Sequence, residues 1–242
     1  MTKREPLMDE GYFEQTIAHI EKTAVRFEAI VEKPDTKPEQ RKRLLYSLFR
    51  DSYELLLARY SAGEPVADLR AGFETVVRRR ERHQQELGRL GNDFSAIDDY
   101  VTSLWLVSLG LLLDVGQPIF ERLLGCIGNA GRDQLFERLV ATRVLGRTEG
   151  NTVLFPKPYQ TLCDAAKAAG AGRSNLVADF LKSWYPALGK LKIYWHDCHK
   201  GPEGGGFVGY WCLEAGAVVK AFGIDDSEFR ERPYYPKDLV HV

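Results

Sequence analysis

Four stretches of the chain carry residue types that could do chemistry. The first is His196-Asp197-Cys198-His199, with Cys212 beyond it. Imidazole and thiolate bind zinc, but zinc knuckles pair their ligands as C-x-x-C or H-x-x-x-H, and neither pattern is present. A helix end running into a loop explains the segment; a metal-dependent hydrolase using His196, Cys198 and His199 is the alternative. The second stretch, GPEGGG from Gly201 to Gly206, lacks the G-K-[ST] of a phosphate loop and no strand precedes it, so it reads as a connector. The third is the cluster Arg78, Arg79, Arg80 and Arg82. Glu74, Glu81 and Glu86 share its helix and no aromatic stacking platform lies beside it, so a solvated helix face is expected rather than a nucleic-acid contact. The fourth is Glu214, read as a partly buried structural glutamate bonded to a tyrosine, a histidine or a backbone amide. A nuclease would need clustered carboxylates with a lysine or histidine to hold a metal and activate water, and the chain shows no such constellation. No catalytic residue, cofactor site or metal site is therefore assigned.

Charge segregation says more. Between Gly91 and Glu121 stand Asp93, Asp98, Asp99, Asp114 and Glu121 with no lysine or arginine among them, and Asp225, Asp226 and Glu228 form a second acidic group. Asp93, Asp98, Asp225 and Asp226 lie near expected helix starts, where negative charge is favoured. That role leaves room for another, because an acidic face complements any partner that binds phosphates.

The 242 residues suffice for one large core or two smaller ones. Hydrophobic residues make up 44% and charged residues 28%, as in ordinary soluble proteins. A net charge of −1 excludes a global pull toward nucleic acid or membrane, so neither is an expected partner. The N-terminal MTKREPLMDEGYF has no apolar signal-peptide core, and Leu104–Val115 is too short to span a bilayer. The 4 cysteines, Cys126, Cys163, Cys198 and Cys212, are widely spread, so reduced thiols and a cytoplasmic location are expected.

The positioning elements are helices. Phe13, Ile17, Ile20, Ala24, Phe27 and Val31 predict a first helix over about 9–33, ended by Pro34. Thr36 with Glu39 suggests a capping box for a second, which stops at Gly63. Pro65 opens a third, ending at Gly88 and Gly91. A fourth, about 95–115, is apolar on nearly every side and is expected at the centre of an N-terminal bundle. Two shorter helices follow between Pro118 and Leu145, separated by Gly128-Asn129-Ala130-Gly131, which is taken as the domain boundary. Val153–Phe155 could be briefly extended, and helices resume over about 158–169, 174–184 and 186–196. The fold class is all-α, with residues 1–128 as an N-terminal bundle and 129–242 as a C-terminal helical domain.

The most distinctive stretch is GFVGYWCLEAGAVVKAFGIDDSEFRERPYYPKD, from Gly206 to Asp238. Val208, Trp211, Ala215, Val218 and Phe222 fall on one helix face, Gly223 stops the helix, and Asp225 with Glu228 reads as the cap of a further turn. Pro233 and Pro236 bracket Tyr234 and Tyr235 and stiffen the tail. This stretch closely resembles the C-terminal domain of the PoNi family, bacterial immunity proteins that neutralise polymorphic nuclease toxins, many delivered by type VI secretion. The resemblance rests on Tyr210, Trp211, Glu214, Ala215, Gly223, Ile224, Asp225, Asp226, Tyr234, Tyr235, Pro236, Lys237 and Asp238, and the segment DYVTSLWLVSLGLLLDV extends it to the N-terminal domain. One departure is Gly216, where alanine is expected; glycine weakens a helix. The resemblance implies a non-enzymatic inhibitor that binds its cognate nuclease toxin 1:1 and covers the toxin's active or substrate-binding surface. Asp93, Asp98, Asp99, Asp225, Asp226 and Glu228 are then the expected partner-binding charges. A helical adaptor for a non-toxin partner is the alternative, and self-association into a homodimer stays open.

Overall fold

In the computed structural model, residues 2–88, 91–170, 172–201 and 206–241 are described. Among them the chain forms ten α-helices, one short 3-10 turn and no strand. In order these are α1 (Glu10–Val31), α2 (Pro38–Ala62), α3 (Val66–Leu87), α4 (Ile97–Leu112), α5 (Gln117–Ile127), α6 (Gln134–Ala141), α7 (Pro156–Lys167), α8 (Gly172–Lys190), α9 (Leu213–Phe222) and α10 (Lys237–Val240). No helix among the described residues is long and apolar enough to cross a membrane. The chain folds into two compact units, Met1–Gly91 with Asp197–Tyr210, and Asn92–His196 with Trp211–Val242. Residues 92–128, which the sequence pattern grouped with the N-terminal bundle, thus sit in the second unit.

In the first unit α2 packs along both α1 and α3. Asp9 caps α1 by accepting from the Tyr12 N–H at 2.7 Å. Thr36 does not build the expected capping box: its hydroxyl and its N–H turn back to the Ile30 and Lys33 carbonyls at the end of α1, and α2 starts without a side-chain cap on Pro38. The last turn of α2 is closed by Arg4, which donates to the Tyr60 and Glu64 carbonyls at 2.9 and 2.8 Å. Residues 208–210, expected to open the helix that ends at Gly223, are irregular here; Tyr12 donates to the Phe207 carbonyl at 3.0 Å and Ser61 to that of Val208 at 2.7 Å.

The second unit is built on α4 and α9. Residues Leu213 to Val219 of α9 are all buried, and the helix contacts α4, α6, α7, α8 and α10. Within this unit the apolar circumference of α4 is covered by α5, α6 and α9. Pro186 does not split the chain into two helices. It lies inside α8, which runs on to Lys190 before the left-handed Lys192 turns the chain away. Val153–Phe155 makes no strand; it is anchored by the Gln134 N–H on the Thr152 carbonyl at 2.9 Å. Gly223 ends α9 in the left-handed conformation, and Arg173 donates to the Phe222 carbonyl just before it. Lys220 reaches from α9 to the Leu112 carbonyl at 2.7 Å, satisfying the end of α4.

Gly216 has a packing reason. A Cβ there would lie 2.8 Å from Pro236 Cγ and 3.3 Å from Val240 Cγ2, so the closing tail can seat on α9 only over a bare backbone. Gly216→Ala should therefore destabilise the protein by about 1–3 kcal/mol despite the better helix propensity of alanine, because overpacking at backbone-close range outweighs propensity. Chemical denaturation checks this; equal or higher stability would show that Pro236 gives way freely.

Candidate functional site

The expected partner-binding carboxylates divide by environment. Asp93 is exposed and accepts from the Ser95 N–H at 2.9 Å and the Ser95 hydroxyl at 2.6 Å. Asp99, half-buried, accepts from the Asp93 N–H at 3.0 Å. Asp98 accepts from the backbone N–H of Tyr194 at 3.3 Å, and Tyr194 is itself 45% exposed. These three acids organise the entry into α4, whose N-cap residue Ala96 has no side-chain oxygen to offer. They leave negative charge beside an outward aromatic ring. Of the other acids in this stretch, Asp114 is paired with Arg143 at 3.0 Å, and Glu121 accepts from Gln117 at 2.8 Å.

The second acidic group is split between surface and core. Asp225 and Glu228 are exposed. Asp225 accepts from the Ser227 N–H at 3.0 Å, which holds its carboxyl below the usual range. Asp225 and Glu228 thus do not form the expected cap and partner; the bond spans two residues, as in an Asx turn. Asp226 faces inward at 1% exposure and cannot serve as a free partner-binding charge. Its Oδ1 accepts from Arg230 Nε and Nη2 at 2.9 and 2.6 Å, and its Oδ2 from the Tyr235 hydroxyl at 2.9 Å, with His241 Nε2 at 2.7 Å. Burial alone would raise its pKa; the bonds from Arg230, His241 and Tyr235 outweigh it and hold the group below the usual carboxylate range.

The remaining motif residues hold the tail and the loop entrance. Tyr234 adopts a left-handed backbone, stacks on Tyr185 at 5.2 Å and offers its carbonyl to the Cys212 N–H at 2.8 Å. Trp211 is buried, and Pro236 covers Gly216. Tyr210, in the first unit, is buried with its hydroxyl 2.8 Å from His199 Nδ1.

Three further buried carboxylates join Asp226 in the second unit. Asp133 caps α6 through the Phe136 N–H at 2.8 Å and also accepts from the Leu154 N–H at 2.8 Å and the Tyr100 hydroxyl at 3.0 Å. Glu137 is fully buried and grips Arg147 through two bonds of 2.7 and 3.0 Å. Glu214 is likewise fully buried; a tyrosine, Tyr159, and a backbone amide lie against its carboxyl as expected, and two indoles that were not expected also donate to it, Trp184 Nε1 at 2.6 Å and Trp105 Nε1 at 3.1 Å. Neither Asp133 nor Glu137 stood out in the sequence; the available signal was the N-cap spacing Asp133 to Phe136 ahead of an apolar run.

The other chemistry-bearing stretches resolve into local structure. His196 stacks on Tyr185 at 4.1 Å. Among the described residues no group of three or more His, Cys, Asp or Glu side chains converges on a metal-sized site. Positions 202–205 of the glycine-rich run lie outside the described residues. Two of the four arginines of the cluster are paired from α1: Arg82 with Glu28 and Glu32 at 2.7 and 2.6 Å, and Arg79 with Glu28 at 3.4 Å, while Arg78 is exposed as expected. Arg80 is not solvated as expected. It is buried, 4.8 Å over the Phe49 ring and 3.1 Å from His83 Nδ1.

Comparison with known proteins adds what geometry does not. The chain resembles protein PA2201 from Pseudomonas aeruginosa, known from its crystal structure, with a TM-score of 0.77 at 20% sequence identity, over 99% of this chain and 91% of that one. That likeness concerns the fold. A search of curated proteins found no match. The profile described as PoNe immunity protein (PoNi), N-terminal, matches residues 4–125, and that described as PoNe immunity proteins (PoNi), C-terminal, matches residues 131–239. With both family segments matched in order along one all-helical chain, the protein belongs to the PoNe immunity protein family.

Proposed function

We propose that this chain is a cytoplasmic immunity protein that binds one cognate nuclease toxin, delivered by type VI secretion, and silences it by covering its active or substrate-binding surface. The observation that carries this reading is the match of both segments of the immunity family, end to end along the chain. Occlusion needs no chemistry from the inhibitor. It needs a surface that competes with phosphates for a basic cleft.

The acids at the start of α4 suit that task. Asp93, Asp98 and Asp99 bring negative charge, and the neighbouring exposed ring of Tyr194 is the kind of rigid amphipathic anchor that dominates binding energy at interfaces. Asp225 and Glu228 supply a second exposed acidic group. Charges of this kind speed encounter as well as strengthen the complex. Nuclease–immunity pairs are among the tightest complexes known, so a stable 1:1 complex is expected.

Bacteria expressing the cognate nuclease toxin should survive when the protein is co-expressed and die without it. Replacing Asp93, Asp98, Asp99 and Asp225 by asparagine and Glu228 by glutamine removes the charge but keeps an acceptor at each position, and should weaken the complex at least tenfold, chiefly through slower association. Unchanged affinity in that variant would remove these acids from the interface; toxicity that persists despite abundant protein would remove the immunity reading itself.

A further inference from the structure

Glu214 sits on α9 with each carboxylate oxygen matched to one indole, Trp105 Nε1 of α4 on Oε2 and Trp184 Nε1 of α8 on Oε1. Trp195 lies against both indoles, at ring distances of 5.1 and 5.6 Å. A third helix contributes Tyr159 of α7, whose hydroxyl faces the same carboxyl and, fully buried, has no hydrogen bond of regular geometry. The other titratable groups facing Glu214 are Tyr100 of α4, occupied with Asp133, and Cys212 ahead of α9. None of these partners is a cation.

That arrangement is unusual for a buried acid. An anion here has donors but no counter-charge, which is costly in a low-dielectric interior. A neutral acid must instead place its own proton, and the Tyr159 oxygen is there to accept it. Rotation of one hydroxyl therefore serves both states: Tyr159 donates to the carboxylate, or accepts from the carboxylic acid. Neither state requires a helix to move.

The geometry points to Glu214 as a proton-linked lock on the second unit, joining α4, α7, α8 and α9 more tightly when the carboxyl is protonated than when it is ionised. Burial raises the carboxyl's pKa against the opposing pull of a backbone bond and of Trp184, Trp105 and Tyr159, to about 7. The sign follows from linkage. The folded chain holds this proton up to neutral pH while the unfolded chain releases it near 4.5, so stability falls as pH rises between those values and levels off above about 7.

The test is a thermal melt of the full chain and of Glu214→Gln across pH 5 to 8, with tryptophan emission recorded alongside. The melting temperature of the native chain should fall relative to the variant by on the order of 5–10 °C as pH rises. The native emission should also change with a midpoint near 7, a change absent from Glu214→Gln. Tyr159→Phe, which keeps the ring but loses the hydroxyl that pairs with both states, should displace that midpoint. If Glu214→Gln fails to fold, infrared difference spectra of the native chain decide alone: a protonated buried carboxyl band at pH 6 that vanishes by pH 8 supports the lock. Parallel melting curves for the two proteins, or the absence of that band, would overturn it.

Discussion

Replacing Asp226 by alanine should cost the second unit about 3–5 kcal/mol, the range seen when one partner of a buried, hydrogen-bonded charge network is removed. The carboxylate is where the tail is fastened. Arg230 approaches from the turn that follows, Tyr235 from the proline-bracketed segment and His241 from beyond α10, all on two oxygens. The Tyr235 ring is 3% exposed, so without Asp226 its hydroxyl is stranded away from water. Urea unfolding should show a lower midpoint with an unchanged slope. The pH dependence is specific too. Because the folded carboxyl lies below its ordinary value of 3.8, its contribution is present above that value and is lost as pH falls through the folded one. The gap between native and variant should therefore narrow only in strong acid. A loss below about 1 kcal/mol would mean that the tail is held by apolar packing alone.

Asp133→Ala should be comparably damaging, about 3–5 kcal/mol, for a different reason: two buried donors and a half-buried one lose their acceptor. The Phe136 N–H, the Leu154 N–H and the Tyr100 hydroxyl all converge on this carboxyl, and the side chains of Phe136 and Tyr100 are fully buried. Burial raises the pKa of Asp133 above the usual carboxylate range against the opposing pull of the bonds from Leu154, Phe136 and Tyr100. Asp133→Ser should recover roughly 1 kcal/mol, since a serine oxygen can still cap α6 but cannot reach all three donors. Hydrogen exchange at Phe136 and Leu154 reads the same effect amide by amide. Normal protection there in the alanine variant would show that other groups satisfy those donors.

These hubs mark the border of what the sequence made legible. The first three helices could be read because their apolar residues recur with helical spacing and their ends carry local signals: Asp9, Gly63 and Gly88 cap within a few residues. Gly223 was legible for the same reason. What could not be read depends on distant partners. Asp225 and Asp226 are neighbours of identical type, and which one turns inward is decided by Tyr235 and His241, 9 and 15 residues further on. Glu214 finds Trp105 and Trp184, 109 and 30 residues away, where periodicity carries no information. The packing partners of α4 were not legible either. Its apolar circumference shows that it must be buried, not which helices bury it, and the chain crosses between units near residues 197 and 211 without any change in composition. Gly216 looked like a weakness by propensity because Pro236 is invisible from its local sequence. The candidate acids were legible as charge, but their division into exposed and buried was not.

Immunity by occlusion requires stoichiometric inhibition. Purified toxin, assayed on its nucleic-acid substrate at a concentration well above the dissociation constant, is titrated with increasing amounts of this protein. Occlusion by a 1:1 complex predicts that nuclease activity falls linearly and vanishes at one equivalent, with the complex eluting as a single species. Full nuclease activity in the presence of excess protein would contradict it.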